Sequence, residues 1–225
     1  MNEFNLEKYY QLLEDNKNES KIDFTKRVVN TKKPCLGILV PEQMKIVKSL
    51  VSIRNDVLDV MPNKYHEALM IDAYLINTIK DYHEQIKYIE KLSKYIDTWS
   101  VTDSLKFRIK GNEQAYFDYA KQLLQSKKPF KRRIGIRIFF QYIKTDYIKE
   151  IFKELDKLKD EDEYYVNMAI SWFLCESLIK NRDLTIAYFK NNKLNSFAIN
   201  KAISKCHDSF RVSKEDKELL NNYKK

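Results

Sequence analysis

The sequence predicts an all-α fold of stacked antiparallel helix pairs, and three observations carry that expectation. Ordinary usage of about 7% would put roughly 16 glycines in a chain of this length, yet only 3 occur among 225 residues. Prolines number 4, so the turn signals that a sandwich or parallel sheet repeats about every ten residues are missing. Apolar residues recur at spacings of three and four along nearly the whole chain. The hydrophobic content of 44% suffices for a core and excludes a disordered tail or a fibre. No glycine-rich phosphate loop can be built.

Taken in order, Leu6, Tyr9, Tyr10 and Leu13 form the first amphipathic stripe. Pro41 ahead of Glu42 suits the first turn of a helix, where the missing N–H leaves nothing unpaired. Pro62-Asn63 separates two more helices, and Ile86, Ile89, Leu92 and Ile96 mark the next stripe. Gly111-Asn112 and Lys128-Pro129 are further breaks, Ile148, Ile151, Phe152 and Leu155 a later stripe, and Asn191-Asn192 another stop. About a dozen helices of roughly 10 to 17 residues follow. No Ser/Gly-rich linker interrupts them, so residues 1–225 are expected to form one domain, either a bundle or a stack of helical hairpins. Helix pairs return around 41–79, 83–108, 112–144, 147–178 and 182–208, a spacing of roughly 35 to 40 residues that suits HEAT-like or ARM-type repeats. Such stacks curve and expose a concave face.

Lysine and arginine total 41 against 32 acids, a net charge of +9, with 33 lysines and 8 arginines. A polyanionic partner and generic solubilisation both fit that surplus, and position must decide. Cys35, Cys175 and Cys206 are odd in number and far apart, which fits a reducing cytoplasm better than a disulfide framework. Met1-Asn2-Glu3-Phe4 lacks the basic start of a secretion leader, and no long uncharged apolar run occurs, so neither secretion nor membrane insertion is expected. His66, His83 and His207 show no i, i+4 pairing, which argues against a metal site. No cofactor is expected. Cys175 directly follows the apolar run 170–174 and reads as core packing.

Three segments could carry chemistry. Within residues 97–103, Trp99 and Asp103 are four apart and share a helix face; the plain alternative is a core-edge indole with a solvated acid. Between Lys127 and Arg137 the arginines Arg132, Arg133 and Arg137 cluster at a helix start. Arg133 and Arg137 stand at i, i+4, where like charges cost a few tenths of a kcal/mol. An anion such as a backbone phosphate between them would explain the pair, and a solvated basic face would too. The third segment, residues 164–172, ends in Trp172 and alone says only helix.

Together these segments resemble the DNA alkylation repair family of HEAT-like DNA glycosylases, whose landmarks are a W-D-x-V-D helix, an R-x-A-I helix and a K-A-I-G-W helix. Pro34-Cys35-Leu36-Gly37-Ile38 followed by Pro41-Glu42 is similar to that family's F-L-G-I-x-x-P-E segment. The resemblance spans nearly the whole chain, with the motifs in the same order. It implies a right-handed, C-shaped solenoid with a basic concave groove that holds duplex DNA, a monomer without metal or membrane attachment, and excision of cationic N3- and N7-alkylated purines without flipping the base into a pocket. Asp103 would match the catalytic carboxylate. Trp99 and Trp172 would be aromatic walls touching the lesion nucleotide's sugar and phosphate. Arg133 would match the R-x-A-I arginine that holds a phosphate, with Arg132 and Arg137 as further DNA contacts. The sequence departs from the motifs at Ser100, where the first Asp is expected, and at Cys175, where G-W-x-L-R-E carries arginine. A non-excising binder of damaged or branched DNA, or a scaffold for another protein, is the alternative.

The implied chemistry suits so spare a site. An N3- or N7-alkylated purine is already cationic, so it departs as a neutral base without a general acid and leaves an oxocarbenium-like sugar. A carboxylate at ~4 Å, with an effective dielectric of ~20, stabilises that cation by about 4 kcal/mol, roughly three powers of ten in rate. The same carboxylate can orient the water that captures the sugar.

Overall fold

The computed structural model describes residues 4–225. Met1, Asn2 and Glu3, read above for a leader, lie outside the described residues. Every regular element among the described residues is helical, as the glycine count implied. The chain divides between Arg108 and Ile109 into two compact units.

The first unit comprises α1 (Leu6–Asp15), α2 (Glu19–Val29), α3 (Val40–Leu50), α4 (Arg54–Val60), α5 (His66–Ile76), α6 (Tyr82–Leu92) and α7 (Trp99–Ser104). Pro41 sits in the first turn of α3 as expected, and Asn5 and Asp81 cap α1 and α6 by accepting from the amides of Lys8 and Glu84. α5 is the core helix. Nearly all of its residues are buried, and α3, α4, α6 and α7 pack around it. The helices α4 and α7 are shorter than the sequence suggested. Met61 ends α4 in a left-handed conformation, and Leu105 turns the backbone extended after α7.

The second unit holds α8 (Glu113–Leu124), α9 (Pro129–Phe139), α10 (Ile148–Asp156), α11 (Tyr164–Lys180), α12 (Arg182–Asn191), α13 (Ser196–Asp208) and α14 (Lys214–Leu220). The expected hairpins at 112–144, 147–178 and 182–208 are α8/α9, α10/α11 and α12/α13. Within a hairpin, α8 and α9 approach so closely at Gly135 that a Cβ there would lie 2.8 Å from the Ala120 carbonyl oxygen. Between hairpins, α9, α11 and α13 run parallel. Phe130 meets Tyr165 and Phe140 meets Trp172, while Asn195 bonds Asn167 and Ser171 bonds the Ala198 carbonyl. α11 is buried around most of its circumference and forms the centre of this row.

Candidate functional site

α7 is only six residues long, too short to persist alone, so its neighbours must hold it. At its start, the Asp97 carboxylate accepts from Thr31 Oγ1 at 2.8 and 2.9 Å and from the Lys32 amide at 2.8 Å. Thr98 Oγ1 donates to the Val29 carbonyl, and Trp99 Nε1 to the Val28 carbonyl at 3.4 Å. At its end, Asn77 Nδ2 donates to the Ser104 carbonyl at 2.8 Å, and Asn77 Oδ1 accepts from the Lys106 amide at 2.7 Å. α7 is thus lashed to the last turn of α2 and to the end of α5. Ser100, Val101 and Thr102 are buried, leaving Trp99 and Asp103 partly exposed on the other face. Thr102 Oγ1 lies 2.7 Å from the Trp99 carbonyl oxygen and 3.2 Å from Asp103 Oδ1. Asp103 stands in the last turn, where helix carbonyls are negative too, so carboxylate and helix end favour a cation together.

The seat of α2 depends on the segment that resembled F-L-G-I. Gly37 has φ +71°, and a Cβ there would lie 2.4 Å from the Asn18 carbonyl oxygen, so only glycine fits. The Asn18 amide at the entrance to α2 bonds the Leu36 carbonyl at 2.9 Å. Glu67, from α5, binds this bend by accepting from the amides of Leu36 at 3.0 Å and Gly37 at 2.8 Å. Burial raises its carboxyl above the ordinary value, and the backbone N–H donors oppose that rise. Its neighbour His66 is buried and held neutral, at about 4, by desolvation against the pull of Asp97. Glu67, Asp97, Thr31 and Asn77 were missed in the sequence. Glu67 and His66 belong to an i, i+1 pair at a helix start, and nothing local reveals partners some 30 or more residues away.

In the second unit the three arginines have separate fates. Arg132 is bidentate to Glu161, Nε at 2.6 Å and Nη2 at 2.8 Å, with Nη1 on the Ser126 carbonyl at 2.7 Å. The acid side of this pair is almost fully buried. Arg133 is 5% exposed and donates to the Tyr165 carbonyl at 2.5 Å. Arg137, one turn on, lies over the Trp172 ring at 4.7 Å and the Phe140 ring at 4.8 Å, and the two rings meet at 4.7 Å. Arg133 and Arg137 therefore reach points two turns apart on α11, and protein groups accommodate the like charges that suggested an intervening anion. Arg137 and Trp172 are partly exposed.

The site residues fall into two groups, Trp99 with Asp103 in the first unit and Arg132, Arg133, Arg137 with Trp172 in the second. The first joins a carboxylate to an indole face, which suits a sugar acquiring positive charge. The second joins a guanidinium to an indole, which suits a phosphodiester beside a flat or apolar sugar surface. Cys175 is buried core, as read from its apolar run. Among the described residues no cluster of three or more His, Cys, Asp or Glu side chains could hold a metal ion, and no helix is long and apolar enough to cross a membrane. No curated protein matches the chain. A family model described as DNA alkylation repair enzyme matches residues 10–206, a span containing both groups. The chain belongs to the DNA alkylation repair enzyme family.

Proposed function

We propose that this protein is a DNA glycosylase that releases cationic N3- and N7-alkylated purines from duplex DNA. The observation that carries the reading is the pairing on α7. A carboxylate and an indole share the exposed face of a helix fixed at both ends by side chains from elsewhere in its unit. Asp103 stabilises the sugar cation as the neutral base leaves and orients the capturing water, while Trp99 packs against the sugar. In the second unit, Trp172 offers DNA an aromatic surface of its own. Arg137, partly exposed over Trp172, makes the phosphate contact. Arg133 and Arg132 secure α9 to α11 and the turn before it, and so place Arg137.

Ser100 and Cys175, where the motifs carry charged residues, favour a second reading, a binder of damaged DNA that does not excise. The two separate on methylated duplex. The glycosylase releases free 7-methylguanine or 3-methyladenine in catalytic amounts, whereas tight binding without release supports the binder. Under both readings log affinity falls with log salt by about 0.9 per neutralised phosphate. Absence of DNA binding at low salt would overturn both.

A further inference from the structure

The turn between α13 and α14 presents the barest large apolar side chain among the described residues. Phe210 is 96% exposed, whereas Phe24, the next most exposed, is at 56%. The backbone around it is nevertheless tied down. The Ser209 amide donates to the Lys205 and Cys206 carbonyls at 3.1 and 3.3 Å, and Ser209 Oγ accepts from the Arg211 amide at 3.2 Å. Val212 is buried. Ser213 caps α14 by accepting from the Asp216 amide at 3.0 Å, and Arg182 of α12 grips the Asp216 carboxylate with Nε at 2.9 Å and Nη2 at 2.6 Å. The ring is thus fixed at a point where the protein covers almost none of it.

Arg211, the next residue, sets where that point lies. Its guanidinium binds the Glu176 carboxylate, which Lys180 also meets at 3.2 Å. Glu176 stands one helical turn after Trp172 on α11 and shares its face, so the turn docks on the side of α11 that carries Trp172 and Arg137. Two cations on one carboxylate, with Arg137 a turn away, leave this side positive. Where the sequence carries Cys175 in place of the motif's arginine, a guanidinium still stands against the next residue, brought there by the turn.

We propose that Phe210 is an apolar DNA contact, a wedge that seats in a groove of the duplex beside the surface formed by Trp172 and Arg137. The proposal rests on duplex DNA as the partner, which both readings above share, and not on excision. The cations around the turn draw in the phosphates, while sugars and base edges offer the apolar surface that a phenyl ring needs; proteins that bend DNA use phenylalanine in this way. The anchored backbone loses little freedom on contact. A second copy of the chain is a poorer occupant, because a symmetric pairing here would set the same cations against each other in a protein already at +9.

The test measures the affinity of wild type, Phe210→Ala and Phe210→Trp for an unmethylated duplex across a salt series, with urea unfolding beside it. Because the protein covers so little of the ring, Phe210→Ala should unfold at the wild-type urea concentration. It should bind duplex about tenfold or more weakly, the effect expected when most of a phenylalanine side chain leaves water in the complex. The slope of log affinity against log salt should keep its wild-type value, since a phenyl ring neutralises no phosphate, and Phe210→Trp should restore binding. Equal binding by Phe210→Ala and wild type would overturn the proposal and leave DNA as the partner. A wild type that binds no duplex at low salt would end both. A shallower salt slope or an earlier unfolding in Phe210→Ala would also overturn it, by assigning the loss to a displaced turn. So would a wild type that is dimeric in solution while Phe210→Ala is monomeric with unaltered affinity, which would give the ring to a second copy.

Discussion

The two tryptophans are held in opposite ways. Trp99 belongs to a helix of six residues, is tethered by its indole N–H to a backbone carbonyl of α2, and has its charged partner on its own helix. Trp172 sits in the middle of a helix of 17 residues, and its partners Arg137 and Phe140 come from the neighbouring hairpin. The first arrangement is local in its chemistry and distant in its support. The second is the reverse, because the long helix needs little help but the guanidinium must be delivered by packing. Damage should therefore spread differently. Loosening α2 or α5 should disturb Trp99 and Asp103 together, whereas loosening α9 should displace Arg137 and leave Trp172 in its core helix.

The largest expected effect breaks the second arrangement. Glu161→Ala leaves the Arg132 guanidinium partly buried without its carboxylate, and removing one partner of a buried ion pair costs about 3–5 kcal/mol. Urea unfolding should show a loss of that size, and a change below ~1 kcal/mol would mean that α9 is held otherwise. The first arrangement can be loosened by pH. Unfolded His66 protonates near the ordinary 6.5, whereas folded His66 does so at about 4. Its contribution is therefore complete above 6.5 and falls by about 3 kcal/mol as the pH drops to 4. The carboxyls of Asp97 and Glu67 stand close to this imidazole, so the measurement is the difference between wild type and His66→Gln. Equal pH slopes in the two would contradict the buried neutral imidazole. The smallest effect is the coupling of Arg137 to Trp172. A double-mutant cycle with Arg137→Ala and Trp172→Leu should give about 1 kcal/mol in unfolding. Arg137→Ala should also reduce the salt slope of DNA binding by about 0.9, and an unchanged slope would remove Arg137 from the phosphate contact.

Much of this was legible where chemistry is local. Three glycines among 225 residues excluded the sheet folds, and the four-residue spacing of Trp99 and Asp103 placed both on one face of α7. Pro41 opened the helix it was expected to open, and Pro129, read only as part of a break, stands in the first turn of α9. Distant partners were not legible. Arg132 reads as a groove cation until Glu161, 29 residues later, is seen to grip it. On α6 the apolar letters pointed to Ile86, but the buried face runs through Gln85, Tyr88, Ile89 and Leu92. Gln85 can be buried there because its amide reaches the carbonyls of Ile76 and Lys106. Hydrophobic periodicity finds a helix and sets its face only within about one residue, since a satisfied polar side chain packs as well as an apolar one.

The carboxylate of Asp103 is the centre of the account, and single-turnover release of 7-methylguanine from methylated duplex by Asp103→Asn tests it most directly. The substitution keeps the shape and removes the charge. Release should slow by roughly three powers of ten, the kinetic equivalent of about 4 kcal/mol, while duplex affinity stays within a few-fold of wild type. Release at the wild-type rate, with affinity unchanged, would show that the negative charge on α7 does not stabilise the departing base's sugar.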